Sequence, residues 1–310
     1  TYHTMETCVT FTWMQLCNRL LQMTGNSLYA DYMETAIYNA LMASLKADAS
    51  QIAKYSPLEG WRHEGEEQCG MHINCCNANG PRAFAMIPQF AYQVQDDCVR
   101  VNFYAPSEAE LVLPGKKPVR LKQTTDYPRT DQIEIEVDPA KETTFTIALR
   151  IPAWSKIAVV SVNGQPQDGV LQGAYLPVNR KWKKGDRITV KLDLRARLVE
   201  RNQAQAIVRG PVVLARDSRF GDGFVDEASV VVSKDGYVEL TPVKTPGFAW
   251  LAFTAPMVLG TDLESNRAPK QIHFCDFASA GNTWDKTQRY RVWLPKTLNV
   301  MHSPYRPYNQ

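Results

Sequence analysis

Phe145-Thr146-Ile147-Ala148-Leu149-Arg150-Ile151 puts a large apolar residue at every second position, the period of a strand that buries one face. The same alternation recurs outward from it, in Val99-Val101-Phe103, Leu111-Leu113, Ile133-Ile135-Val137 and Ile188-Val190-Leu192-Leu194. Pro114-Gly115, Asn163-Gly164 and Lys184-Gly185-Asp186 punctuate these runs as turns. Together they predict an antiparallel β-sandwich over residues 96–200. A second β block, 201–310, rests on Ala206-Ile207-Val208, Val212-Val213-Leu214, Val230-Val231-Val232, Trp250-Leu251-Ala252-Phe253 and Tyr290-Arg291-Val292-Trp293-Leu294.

Before Asp97 the period is helical. Val9, Trp13, Leu16, Leu20 and Met23 form one stripe, ending at Thr24-Gly25-Asn26-Ser27. Tyr29, Met33, Ile37, Leu41 and Leu45 form another, with Ser27 as its cap and Asp31 in the first turn, where a carboxylate suits the helix dipole. A third helix is expected from Gly80-Pro81 through Phe84, Ile87 and Ala91, since proline fits a first helical position. Between the last two lies an irregular stretch, Asp48 to Gly80, which holds Trp61, His63, His72 and three cysteines; so long a loop points to function. Three amphipathic helices in residues 1–95 make no obvious core of their own, so this region reads as part of a larger helical domain. A first residue other than methionine suits a piece of a longer chain.

Composition narrows the function classes. With 310 residues, 44% hydrophobic and 22% charged, the chain is globular; Lys+Arg of 35 against Asp+Glu of 32 leaves a net charge of +3. There is no basic run to nominate nucleic acid and no apolar stretch of about 20 residues to span a membrane. The cysteines are more telling. Seven is an odd number, and five (Cys8, Cys17, Cys69, Cys75, Cys76) fall in the first quarter of the chain, a clustering that suits free thiols or a metal site better than a disulfide framework. Free thiols suit a reducing compartment, although metal-held thiolates would weaken that inference.

Glu6 and Cys8 can reach one ion if they lie in extended chain just before the first helix; inside a helix they would diverge by about 200°. Adjacent Cys75 and Cys76 can share that ion if the backbone turns sharply, as Asn77-Ala78-Asn79-Gly80 would permit. One carboxylate and three thiolates make a tetrahedral zinc set. The competing readings are cysteines as small buried hydrophobes, or the set Cys69, His72, Cys75 and Cys76, which packs four ligands into eight residues, too short a loop to wrap one tetrahedral ion.

Taken together, Glu6-Thr7-Cys8, Tyr29-Ala30-Asp31-Tyr32-Met33-Glu34-Thr35-Ala36-Ile37-Tyr38-Asn39 and Cys75-Cys76-Asn77-Ala78-Asn79-Gly80 resemble glycoside hydrolase family 127, the zinc- and cysteine-dependent β-L-arabinofuranosidases and their relatives. Arg209-Gly210-Pro211-Val212-Val213-Leu214 and Arg291-Val292-Trp293-Leu294-Pro295 resemble that family's β region. The resemblance implies an α+β multidomain chain: part of an (α/α)6 barrel over 1–95, then two jelly-roll-like β-sandwiches over 96–200 and 201–310. It implies Zn2+ held by Glu6, Cys8, Cys75 and Cys76, with Cys75 also the nucleophile of a retaining hydrolysis, and Glu34 beside the sugar; from their own chemistry, His72 is expected to line the site or donate a hydrogen bond, and Trp61 to stack on a sugar face or serve packing. A residue such as Glu34 could equally be a solvated helix carboxylate.

The acid/base glutamate of the family would lie upstream of Thr1, together with the first half of the barrel. The surroundings of Cys75-Cys76 depart from the Cys-x-Cys-Cys-Pro-Pro form of the arabinofuranosidase branch and look closer to relatives acting on branched pectin sugars. The expected function is therefore cleavage of terminal sugars of plant glycans. The expected partners are an oligosaccharide and the missing part of the barrel or a second copy. The rival reading is a non-catalytic carbohydrate-binding or scaffold fragment with a structural zinc. The resemblance leaves the compartment open between periplasm and cytoplasm.

Overall fold

The computed structural model describes residues 5–65, 70, 74–260 and 268–297. A few helices come first and β-sheets follow, as the change of period predicts. Contacts group the chain into two compact units, one within 1–56, 63–194 and 210–212, the other within 57–62, 195–209 and 213–310.

The first unit holds helices α1 (Thr7–Thr24), α2 (Leu28–Ala36) and α3 (Cys75–Ala91). Gly25, in the left-handed conformation at φ 67°, ends α1 and returns its N–H to Leu21 O, the stop expected of a glycine there. The face that α1 buries differs from the expected one. Phe11, Met14, Cys17 and Leu21 enter the helical core with Met33, Ile37, Leu41, Ala83 and Phe90, whereas Val9, Trp13, Leu16 and Met23 are exposed. The helix is apolar on two sides, and periodicity cannot say which side finds a partner.

Helix α3 also departs from expectation, beginning at Cys75 rather than at Pro81. Asn74 is its cap: the Asn74 side chain accepts from Cys76 N at 2.9 Å, and Asn77 Oδ1 accepts from Asn74 N at 3.2 Å. This reciprocal capping box satisfies donors that would otherwise be orphaned at a helix start.

Two sheets of the first unit enclose one core. A four-stranded sheet runs in the order Ala174–Trp182, Thr143–Ile151, Cys98–Val101, Tyr92–Gln95, and a six-stranded one begins Ser107–Leu113, Lys117–Thr125, Gln132–Pro139, Asp186–Leu192. Val99, Val101, Phe145, Ile147 and Leu149 from the first sheet meet Leu121, Ile133, Ile135, Ile188 and Val190 from the second. One pair, Cys98–Val101 with Thr143–Ile151, is parallel, a departure from the all-antiparallel expectation.

The other face of Thr143–Ile151 is buried as well, for Ala148 is 4% and Arg150 0% exposed. Arg150 reaches the helices: it donates to Asp31 and, at 2.7 Å, to Glu34 Oε1, and its Nε donates to Asn102 O at 2.5 Å.

The second unit is built on a mixed-length sheet in which Ser229–Val231, Ala252–Leu259, Lys270–Asp276, Val212–Asp217, Ala204–Arg209 and Ala196–Arg201 follow one another. The short strand Glu59–Gly60 joins it through Tyr290–Arg291.

Candidate metal centre

Thr7 fixes where α1 begins. Its backbone N–H donates to Lys54 O at 2.9 Å, its hydroxyl donates to Ala53 O at 2.7 Å, and Glu6 bridges to Tyr55. The helix therefore starts between the two expected ligands: Glu6 is the extended cap residue (φ −57°, ψ 131°) and Cys8 lies in the first turn. That change of backbone is what lets both side chains face one point, a third solution beside the two anticipated from spacing.

The same segment brings α3 close. Gly80 abuts Ile52 so tightly that a Cβ would stand 2.8 Å from Ile52 Cγ2, and Cys76 Sγ lies 3.9 Å from Lys54 O. Two helix N-termini thus converge, each presenting the positive end of its dipole to sulfur and carboxylate.

Among the described residues, Glu6, Cys8, Cys75 and Cys76 form a cluster whose ligand atoms all lie within 4.8 Å of one another. Cys8 Sγ lies 3.0 Å from Cys75 Sγ and 3.2 Å from Cys76 Sγ, hydrogen-bonding distances in which either thiol can donate. Crowded in this way two of the thiols are pushed toward their protonated forms: the hydrogen bond with Cys8 raises Cys75 above the usual thiol range, and burial, then the Cys8 contact, raises Cys76. A divalent cation would displace those protons. The donor chemistry fits zinc, whose thiolate bonds of about 2.3 Å set an S···S edge of about 3.8 Å, so the sulfurs need open by less than about 1 Å. The cluster is consistent with a metal site.

The three sulfurs differ in access. Cys75 is exposed, Cys8 half-buried and Cys76 buried, and all three are free of disulfides. Cys17 belongs to the helical core and Cys275 is fully buried. Asn79, read from the sequence as part of a turn, sits in the first helical turns and donates from Nδ2 to Cys8 Sγ at 3.3 Å. The three-residue spacing of Asn74 and Asn77 around Cys75-Cys76 was the available signal for a helix start here.

The remaining candidates are Glu34, Trp61 and His72. Glu34 is neither solvated nor paired along its own helix; at 2% exposure its carboxylate accepts from Arg150, from Tyr127 OH at 2.8 Å and from Trp154 Nε1 at 3.3 Å. Trp61 belongs to the second unit, with the Arg289 guanidinium 5.0 Å from its ring centroid. His72 and Cys69 lie outside the described residues. Glu59 pairs with Arg291 at 2.6 Å and is half-buried.

Two models of a single family match the chain: the GH127 β-L-arabinofuranosidase catalytic domain over residues 1–89 and the GH127 middle domain over residues 98–194. A non-reducing end β-L-arabinofuranosidase of Bifidobacterium longum subsp. longum is 26% identical over 235 residues, covering 67% of this chain and 34% of that protein. Two solved structures share the fold: a GH127 β-L-arabinofuranosidase from Geobacillus stearothermophilus T6 (TM-score 0.78, 22% identity) and a GH127 β-arabinofuranosidase (TM-score 0.79, 24% identity). Each alignment covers 94% of this chain and 49% of the other. The chain therefore spans 34% of the curated relative and about half of these solved ones.

Proposed function

Because the chain belongs to the GH127 β-L-arabinofuranosidase family, over a part of the catalytic domain and the middle domain, we propose that it carries the nucleophile and zinc site of a retaining glycoside hydrolase acting on terminal sugars of plant glycans. The substrate would be L-arabinofuranose-like or a branched pectin sugar. The observation that carries this reading is the convergence of Glu6, Cys8, Cys75 and Cys76 within 4.8 Å, with Cys75 exposed.

Zinc, held by those four residues, would keep the thiols deprotonated at neutral pH. Cys75 Sγ attacks the anomeric carbon as the bond from that carbon to the leaving oxygen breaks, and the oxygen takes a proton from a general acid. Water then displaces the sulfur, giving its proton to the conjugate base of that acid, and two inversions return the original configuration. We assign the acid to a carboxyl of the family's catalytic domain outside these 310 residues.

Helices α1–α3 are read as part of an (α/α)6 barrel, which the exposed apolar face of α1 supports, and the β region as two sandwiches. Trp61 and His72 are proposed sugar contacts, an indole face being able to stack on a sugar ring and an imidazole to hydrogen-bond its hydroxyls. The burial of Glu34 favours positioning of α2 for that residue instead. No helix among the described residues is long and apolar enough to cross a membrane.

Metal analysis of the purified chain should give one zinc per chain, lost in Cys8→Ser. An electrophilic furanose analogue should label Cys75, as read by peptide mass spectrometry. Zinc bound without any label on Cys75 would leave the centre structural and overturn the catalytic reading.

A further inference from the structure

The Asn79 side-chain amide reaches the cluster, its Nδ2 lying 3.3 Å from Cys8 Sγ. The orientation of that amide is not arbitrary. Arg82 Nη1 donates to Asn79 Oδ1 at 3.1 Å, and a guanidinium can only donate, so the amide oxygen must face Arg82 and the NH2 must face the sulfur. Arg82 is in turn held over the Phe11 ring at 5.1 Å, and Phe11 is anchored in the helical core. A chain of contacts therefore runs from the core through Arg82 and Asn79 to one sulfur of three.

A hydrogen bond to a thiolate draws density from the sulfur lone pair and makes it both a steadier ligand and a weaker nucleophile. We infer that Asn79, oriented by Arg82, is a positioning residue that fixes Cys8 as a resident metal ligand and keeps it from competing as nucleophile with Cys75. The inference rests on the zinc-site reading above. It adds a division of labour among thiols that identical ligand chemistry would not produce by itself: Cys8 is damped from within the fold, while Cys75 stands exposed to solvent.

The test uses the zinc-loaded 310-residue chain and iodoacetamide, with alkylation of Cys8 and Cys75 followed separately by peptide mass spectrometry. Asn79→Leu, of similar volume but with no donor, should raise the Cys8 rate relative to Cys75 about tenfold, within the range expected for loss of a partner behind a metal ligand. Arg82→Met leaves the amide in place but frees it to turn, and should give a smaller rise in the same ratio.

In the cobalt-substituted chain, Asn79→Leu should also move the sulfur-to-metal charge-transfer band to lower energy, a signature that a helix-packing effect alone would not produce. Asn77→Ala, which disturbs the capping box without removing the donor, should leave the Cys8-to-Cys75 ratio unchanged. If zinc binds and neither Asn79→Leu nor Arg82→Met alters that ratio, the inference is overturned while the zinc reading stands. A wild-type chain that takes up no zinc overturns both.

Discussion

Two polar clusters sit in the first unit, and their contrast separates structure from chemistry. In one, Asp31, Glu34, Arg150, Tyr127 and Trp154 meet between α2 and the strand Thr143–Ile151. A guanidinium supplies the charge that the carboxylates need, Tyr127 and Trp154 add neutral donors, and Arg150 is fully buried. In the other, sulfur meets sulfur at 3.0 and 3.2 Å, and an exposed thiol stands among the candidate ligands. A buried network that is complete in itself holds elements together. A cluster of like donors converging on a point is consistent with a centre for a cation.

The sharpest way to break this contrast is at Arg150. Arg150→Met leaves Asp31 and Glu34 buried without their cation and should cost about 3–5 kcal/mol, read from urea denaturation. Exchanging all three residues for apolar ones of like volume should cost far less, since no charge is then left alone. If the single exchange costs under about 1 kcal/mol, the cluster does not hold the helices to the sheet.

The candidate metal centre should respond to a bound cation rather than to its internal contacts. Zinc at about a hundred times its Kd should stabilise the chain by about 2.7 kcal/mol. Cys8→Ser should abolish that gain and leave stability under chelation within about 1 kcal/mol of wild type. Matched denaturation curves with zinc and with chelator test this; a large loss in Cys8→Ser under chelation would make the sulfurs a packing cluster instead.

Smaller effects probe how the centre is assembled. Gly80→Ala must push against Ile52, and should cost about 1–3 kcal/mol while lowering zinc affinity, as calorimetric titration would register. Asn74→Ala removes the cap that starts α3 at Cys75 and should cost about 1 kcal/mol in denaturant. The least change is expected at Val9, 60% exposed, where Val9→Thr should stay within about 0.5 kcal/mol in this chain by the same measurement. A larger loss there would mean that the Val9 face of α1 is packed after all.

Much of the β region was legible from alternation, because Phe145, Ile147, Leu149 and Ile151 point one way wherever the strand pairs. The same rule hid Arg150. It occupies a polar position in the alternation, and only the helices laid over that face turn it from a solvent residue into a buried one. The missed strand Ala174–Trp182 carries Pro177, Asn179 and Arg180 between its buried residues, a weaker pattern. In α1, two apolar stripes competed and the sequence favoured the wrong one, since both satisfy the helical period.

What the sequence determined by itself was chemical type: a carboxylate and thiols at Glu6-Thr7-Cys8 and Cys75-Cys76, suited to zinc, and periods that separate helices from strands. These are properties of neighbours along the chain. Tertiary structure decided that Asn74 would start a helix at the vicinal cysteines, that the 52–55 segment would draw two helix N-termini together, and that Asn79 would face Cys8. Those meetings span some 70 residues of chain, and no local spacing encodes them; they exist because Gly80 leaves room for the Ile52 side chain and Thr7 hydrogen-bonds the 53–54 backbone.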